Sequence, residues 1–386
     1  MMFLSKRISR PAIALAVTLL TVPAFASAAT ISKVTVFSKT SSSTTTTKAA
    51  TLSGVKWHPG HYLLTYVTTS DAEMPNIIAT LPQYFRGIQR RYTWQSLEPT
   101  LGQYNFASIK TDLTNLAKVN KKLVVQVIVK NNTANQTAPI VPSYLLSSTY
   151  NGGVYTTQNG NNASFWSSAV QDRLVALFQA LGSQLDLNTS LEAVVLHDET
   201  APSVTDPTTW NPIYLDNFMA GINRVALAAK SSFPHTVVIE YINYPTSPLP
   251  TLLTSLKTAG IGVGGPDVLV EDSGLINGSY PYIKGLANQV PIGMAVQYED
   301  YSARYHGGPY NPPGITSLYQ FNQLQLQANY VFWLRRTAES ASASNDYHAS
   351  NYYQDVLNYM ATINWTNNPA GGLSTTCPTM LGTCTQ

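Results

Sequence analysis

Short apolar runs rich in β-branched and aromatic residues alternate with longer segments along the chain from Trp57 onward. Runs of this composition are typical of buried β-strands. Eight of them are predicted as strands, near residues 61–67, 87–94, 122–130, 191–197, 236–244, 267–271, 292–298 and 330–334. Two intervening segments have apolar residues at helical spacing, which predicts amphipathic helices. The first carries Ile109, Leu113, Leu116 and Ala117, and the second carries Val170, Leu174, Leu177, Phe178, Leu181 and Leu185.

Alternation of strands with crossover segments predicts a parallel sheet, whose strands are apolar on both faces because both faces are buried. Eight strands of this kind favour an α/β fold, a (β/α)8 TIM barrel formed by a single domain over residues 57–386. An open doubly wound sheet is the rival architecture. It would carry Gly-x-Gly-x-x-Gly after a strand, whereas Gly262-Val-Gly-Gly-Pro266 precedes the predicted sixth strand and its proline prevents it from opening a phosphate-binding helix.

The first residues have the pattern of a secretory signal peptide. Lys6, Arg7 and Arg10 precede an apolar stretch at 11–25, and Ala26-Ser27-Ala28 matches a cleavage signal, so residues 1–28 are predicted as the signal peptide. Residues 29–56 follow as a polar arm rich in Ser and Thr. We therefore expect a secreted or periplasmic protein, and no later segment is apolar enough to predict a membrane span in the mature chain.

Composition narrows the class of protein. Hydrophobic residues make up 44% of the chain, which excludes a disordered protein. Three of the 23 Lys and Arg residues lie in the leader, and the other 20 balance the 20 Asp and Glu, so no charge excess predicts a nucleic-acid partner. Cys377 and Cys384 are predicted to form a disulfide that pins the C-terminal tail, because export exposes them to an oxidising environment.

Candidate chemistry lies at the predicted strand ends, because barrel enzymes react where strands run into loops at the C-terminal face. The fourth strand runs into Glu199 and the seventh into Glu299. Two carboxyl groups at facing strand ends suit glycoside hydrolysis, in which one protonates the leaving oxygen and the other attacks the anomeric carbon or activates water. A boundary error would exchange Glu299 for Asp300, and Glu240 or Glu271 would replace it if the strand count were off by one.

One segment carries a resemblance to a known family. Trp94, Leu97, Glu98, Pro99, Gly102, Tyr104 and Phe106 form the pattern W-x-x-L-E-P-x-x-G-x-Y-x-F. This resembles the corresponding segment of retaining (β/α)8 glycoside hydrolases of clan A, above all the β-galactosidase and cellulase-like branches. The resemblance implies an acid/base Glu at the end of strand four and a nucleophilic Glu at the end of strand seven, which are the places of Glu199 and Glu299.

The resemblance also implies an arginine on strand two and a tryptophan ending strand eight, for which Arg90 and Trp333 are predicted; Glu98 is predicted as a structural residue of its turn. The substrate-binding set is Arg90, Trp94, Lys130, His197, Asp198, Tyr298 and Trp333. No cofactor and no metal is implied, and the expected partner is a carbohydrate.

The sequence departs from this family at the residue before the acid/base Glu. The family has Asn there, whereas this chain has Asp198, preceded by His197. A carboxylate accepts a hydrogen bond from a sugar hydroxyl but lacks the donor of an amide, and its charge raises the pKa of a neighbouring Glu. The alternative prediction is therefore a barrel that binds glycan without cleaving it, as an adhesion or scaffold module. A metal-dependent hydrolase, with His58 or His61 converging on His197, is a third possibility that the histidine spacing disfavours.

Overall fold

A closed barrel of eight parallel strands forms the centre of the protein. The computed structural model describes residues 53–130, 140–150, 153–157, 160–196, 212–243, 249–301, 314–336 and 347–386. Thr51–Gln386 form one compact unit. The barrel strands are β1 (Gly60–Leu64), β2 (Gly87–Thr93), β3 (Lys122–Ile128), β4 (Leu191–Val195), β5 (Val237–Tyr241), β6 (Gly262–Gly265), β7 (Ile292–Val296) and β8 (Tyr330–Leu334).

Each barrel strand pairs in parallel with the strand before and after it in the chain, and β8 closes the barrel by pairing with β1. The closing register joins Tyr330 to Gly60 and Leu334 to Leu64. Parallel neighbours require crossover connections, which the intervening helices supply. The predicted (β/α)8 barrel is confirmed.

The helices cover the outside of the barrel. They are α1 (Met74–Ala79), α2 (Trp94–Leu97), α3 (Ala107–Lys118), α4 (Ser168–Leu185), α5 (Pro212–Ser232), α6 (Leu249–Thr258), α7 (Ser273–Asn277), α8 (Ser279–Gly285), α9 (Tyr298–Tyr301), α10 (Ile315–Gln320) and α11 (Tyr347–Thr362). Both helices predicted from spacing are confirmed as α3 and α4. All six apolar positions named for α4 are buried, because one stripe of that helix faces the sheet.

The sixth strand differs from its prediction. Gly262–Gly265 form β6, whereas residues 267–271 lie in the connection that follows it. There Asp272 caps α7 by accepting a hydrogen bond from Leu275 N over 2.8 Å. Glycine-rich segments have low strand propensity, so the pattern did not indicate this strand. Glycine is required by close packing, since a Cβ on Gly264 would lie 1.6 Å from the carbonyl oxygen of Gly293 on β7.

Gly264→Ala is expected to destabilise the protein by at least about 2 kcal/mol, because the added methyl group must push two barrel strands apart. Gly285→Ala is the matched control, since a Cβ there meets no atom within 4 Å. Denaturant unfolding of both variants measures the difference. Equal free energies of unfolding for the two would contradict the packing argument.

The C-terminal tail returns to the start of the folded chain. Cys377 and Cys384 form a disulfide, as predicted. Cys384 and Thr385 pair in parallel with Val55 and Lys56, so the predicted polar arm already has strand structure at its C-terminal end. Within the parts of the chain that the structure describes, no helix has the length and apolarity needed to cross a bilayer.

Candidate functional site

A hydrogen-bonded group of polar side chains crosses the inside of the barrel near its C-terminal end. Gln89 Nε2 of β2 donates to Gln126 Oε1 of β3 over 2.8 Å, and it lies 3.3 Å from the hydroxyl of Tyr241 on β5. Arg91 Nε donates to the same Gln126 oxygen over 3.2 Å. Because β5 adjoins neither β2 nor β3, the contact with Tyr241 crosses the barrel interior. These four residues are the inner polar cluster.

The connections after β6 and β7 are held together at the same end of the barrel. Gln297 Nε2 donates to Asp267 Oδ1 over 2.8 Å. The buried Asp300 accepts backbone hydrogen bonds from Gln297 N and Val268 N, each over 2.9 Å. One Asp300 carboxylate oxygen therefore fixes both connections. This contact gives Asp300, the alternative to Glu299, a structural role.

A buried arginine follows β8 at this end. Arg336 is 6% exposed, and its guanidinium carbon lies 3.3 Å from the centre of the Tyr298 ring in a cation–π contact. Its Nε and Nη1 have no hydrogen-bond partner among the described residues. A guanidinium with unused donors at the C-terminal end of a barrel is suited to bind a polar ligand.

The predicted catalytic carboxylates belong to this end of the barrel by their positions in the chain. Glu199 follows the end of β4 at Val195, and it lies outside the described residues together with His197 and Asp198. Glu299 lies in α9, directly after β7. Their catalytic roles stay predictions.

The comparisons with known proteins agree with this architecture. No family model and no curated protein matches the sequence. Among solved structures, the catalytic domain of β-amylase from Paenibacillus polymyxa is similar, with a TM-score of 0.52, 13% identity, and coverage of 79% of this chain and 99% of that one. A β-galactosidase from the psychrophilic Marinomonas ef1 has a TM-score of 0.54, 8% identity, and coverage of 84% of this chain and 62% of that one.

The barrel resembles those of glycoside hydrolases. This likeness confirms the predicted (β/α)8 barrel. Identities of 13% and 8% establish the fold alone, so the reaction has to be argued from the residues of this chain.

Arg90 lies on the outside of the barrel, which corrects its predicted place in the site. Its Nη1 donates to Asp112 Oδ2 of α3 over 2.5 Å, and its Nη2 donates to Asp71 Oδ1 over 2.6 Å. Side chains alternate along a strand, so the inward positions of Gln89 and Arg91 turn Arg90 toward the helices. Arg91 is thus the arginine of β2 that faces the interior.

Both predicted tryptophans are also buried outside the barrel interior. Trp94 begins α2, where its Nε1 donates to Glu98 Oε2 over 3.0 Å. Trp333 Nε1 donates to His61 Nδ1 over 2.9 Å, on the face of β8 opposite to Phe332. Each has zero exposure, so the predictions of sugar-binding surfaces on Trp94 and Trp333 are wrong.

Glu98 has the structural role predicted for it. It is buried and accepts hydrogen bonds from Trp94, from Gly102 N and from Arg173 Nη2. The family-like motif therefore builds the turn after β2.

Two remaining carboxylates within the sheet do not join the inner polar cluster. Glu240 is the neighbour of the inward-facing Tyr241 and points outward, where burial raises its pKa well above the usual value. Glu192 lies at the start of β4, which is the opposite end of the barrel, and accepts hydrogen bonds from His58 Nδ1 and Tyr330, each over 2.7 Å. His58 also lies at that N-terminal end of the barrel.

Two further predicted residues follow strands of the barrel. Lys130 is buried just after β3 and forms a backbone bridge with Asn162. Tyr298 packs under Arg336, as described above. Four polar residues at this end were not predicted from the sequence: Arg91, Gln126, Tyr241 and Arg336. The usable signal was a single polar residue inside an otherwise apolar strand, such as Gln126 in Lys122–Ile128.

The described residues contain no group of three or more His, Cys, Asp or Glu side chains able to hold a metal.

Proposed function

We propose that this protein is an exported glycoside hydrolase that cleaves O-glycosidic bonds in a polysaccharide or oligosaccharide with retention of anomeric configuration. The observation that carries the proposal is the confirmed strand count. With this count, Glu199 follows the end of β4 and Glu299 follows the end of β7. These are the strand ends at which clan A enzymes have their acid/base and nucleophile. In a parallel barrel these ends open on the same face, where the inner polar cluster lies.

In the proposed reaction, Glu299 attacks the anomeric carbon while Glu199 transfers its proton to the departing glycosidic oxygen. Water then attacks the glycosyl–Glu299 ester, Glu199 takes the proton from that water, and Glu299 leaves as a carboxylate. The negative charge of Asp198 favours the protonated form of Glu199 that the first step needs. Retention requires a separation of about 5 Å between the two carboxyl groups, against about 6.5–9.5 Å for inversion.

The described side chains at this end support binding of a sugar. Arg91, which is half-buried, supplies donors near the C-terminal end of the barrel, and Arg336 with Tyr298 supplies a cationic and aromatic pair after β8 and β7. Sugar hydroxyls need donors and acceptors of this kind, and an aromatic ring packs against the C–H face of a pyranose. Lys130, buried just after β3, stays a predicted substrate-binding residue.

The test is a screen of aryl glycosides and plant and microbial polysaccharides with protein recovered from the medium or periplasm. Proton NMR of the first product is expected to show the anomer of the substrate, and the chain is expected to begin at Ala29. The inverted anomer would overturn the retaining mechanism. Glycan binding without hydrolysis of any substrate would establish the alternative, a glycan-binding barrel. A chain kept inside the cell with residues 1–28 intact would contradict export.

A further inference from the structure

A cavity of about 590 Å³ opens at the N-terminal end of the barrel, opposite to the inner polar cluster. His58 precedes β1, Arg86 precedes β2, and Lys121 and Lys122 lie where β3 begins. The N-terminal ends of three neighbouring strands therefore bring four basic side chains to one hollow. A volume in the range of about 300–1,000 Å³ is typical of sites for small ligands.

The lining of this cavity is electrostatically one-sided. It contains no Asp and no Glu. Lys121 Nζ donates to the backbone carbonyls of Gln83 and Phe85, over 2.8 and 2.5 Å, and Lys122 Nζ donates to the Thr189 carbonyl over 3.0 Å. These acceptors are neutral, and the carboxylate beside the cavity is Glu192, which is fully buried and contacts His58 over 2.7 Å.

Arg86 is the least satisfied of these cations. Its Nε donates a long hydrogen bond of 3.4 Å to the carbonyl oxygen of Pro59. Within the described residues, its two terminal nitrogens make no hydrogen bond. A guanidinium presents those two nitrogens as a fork that matches two oxygens of a carboxylate, phosphate or sulfate. Arg86 is therefore the residue of the cavity best suited to hold an anion.

The basic groups also disfavour one another's charge. Burial lowers the pKa of Lys121, and the positive charge of Arg86 lowers it further. For Lys122, burial again has the largest effect and lowers the pKa; Glu192 opposes the shift and Arg86 adds to it. An anion among these groups relieves the repulsion, because an opposite charge favours the charged form of each.

An aromatic pair forms another part of the wall. The rings of Tyr84 and Trp365 stack with their centres 5.7 Å apart and an angle of 22° between their planes. Both line the cavity beside the basic residues. The combination of aromatic rings with several cations suits an organic ligand that has an apolar ring surface and one or more acidic groups.

We infer that this cavity is a binding site for a small anionic sugar, one that carries a phosphate or carboxylate group on Arg86 and Lys122 and lies beside Tyr84 and Trp365. Nothing in this assignment requires catalysis at the opposite end of the barrel. It stands or falls independently of the proposed hydrolase activity.

Binding is tested by isothermal titration calorimetry on the whole mature chain with glucose 6-phosphate, glucuronate, inorganic phosphate and uncharged glucose. Glucose 6-phosphate or glucuronate is expected to bind, and glucose is not. Comparing the affinity for inorganic phosphate with that for glucose 6-phosphate shows whether the site recognises the anion alone or the sugar as well. Raising the ionic strength is expected to weaken binding, because mobile ions screen the charges.

Arg86→Met is the decisive variant, since it keeps much of the aliphatic stem and removes the guanidinium. The dissociation constant for the charged sugar is expected to rise about tenfold or more, as for the loss of a charge-assisted hydrogen bond. Lys110→Met is the control, because Lys110 is an exposed cation on α3 outside the cavity. Thermal unfolding shows whether Arg86→Met is folded, and Lys122→Gln gives an independent test if it is not.

Three results would overturn the inference. One is the absence of binding by both charged sugars at a concentration ten times a weak dissociation constant of ~1 mM. Another is equal binding of uncharged glucose. The third is an unchanged dissociation constant in folded Arg86→Met or Lys122→Gln.

Discussion

Replacing Glu299 with Gln is expected to lower kcat by about 10⁴-fold or more, because an amide cannot form the glycosyl ester through which the proposed reaction passes. Glu199→Gln is expected to lower kcat by about 10²–10⁴-fold, the usual contribution of a general acid or base. The two losses differ in kind. Substrates with good leaving groups need no acid, so only Glu199→Gln is expected to retain formation of the ester with an activated aryl glycoside.

The measurement is steady-state hydrolysis of the best substrate from the screen, with single-turnover release of the aryl group for each variant. Azide added to Glu299→Ala supplies an external nucleophile and is expected to yield a glycosyl azide of inverted configuration. Glu271→Gln is the matched control, because Glu271 lies exposed in the connection before α7. Full activity in Glu299→Gln, or its loss in Glu271→Gln, would contradict the assignment of the nucleophile.

Glu192→Gln is expected to lower the free energy of unfolding by about 3 kcal/mol, comparable to other cases in which one member of a buried pair is removed. Glu192 has zero exposure and accepts hydrogen bonds from His58 N, His58 Nδ1 and the Tyr330 hydroxyl, over 2.6, 2.7 and 2.7 Å. An amide in its place has one acceptor oxygen and presents N–H groups to these donors. Denaturant unfolding at neutral pH measures the loss.

The stabilisation by Glu192 is also expected to depend on pH. Burial by itself raises the pKa of Glu192, but the contacts with His58 and Tyr330 outweigh it, and the pKa lies below its ordinary value of 4.5. The folded state therefore binds a proton less readily than the unfolded state. Its contribution is present above that ordinary value and is lost as the pH falls through the lower folded-state pKa.

Unfolding of wild type and Glu192→Gln between pH 3 and pH 7 tests this sign. The difference between them is expected to be largest at neutral pH and to shrink in acid. Tyr330→Phe is the control, since it removes one hydrogen bond to Glu192 and is expected to cost about 1 kcal/mol. A difference that grows in acid would contradict the assigned direction of the pKa shift.

Most of the barrel was predictable because its strands bury both faces and therefore stand out as apolar runs. The exception was β6, where Gly262, Gly264 and Gly265 replace the usual β-branched residues. Side chains are excluded at such positions because the neighbouring strand is too close. A Cβ on Gly264 would overlap the Gly293 carbonyl. That constraint is a distance between two strands, and no local pattern contains it.

The orientation of side chains at the strand ends was less predictable. Trp94 follows β2 directly, but it begins a helix that Thr93 caps by accepting a hydrogen bond from Ser96 N. The resemblance implied an arginine on strand two without saying which of two adjacent arginines faces inward, and alternation along β2 places Arg91 inside the barrel and Arg90 outside. The prediction for Trp333 failed for a related reason, because a place at the end of a strand does not say which face the side chain takes.

The sequence by itself determined the class of fold, the number of barrel strands, the disulfide in the tail and the structural role of Glu98. These features depend on local composition, on spacing along the chain or on a short motif. Only the tertiary structure decided that Arg91, Gln126 and Tyr241 meet inside the barrel, that Arg90 pairs with Asp112 outside it, and that basic residues from three strands surround one cavity. Such groupings arise because barrel closure brings together residues that are distant in the chain, and alternation along each strand then selects which side chains meet.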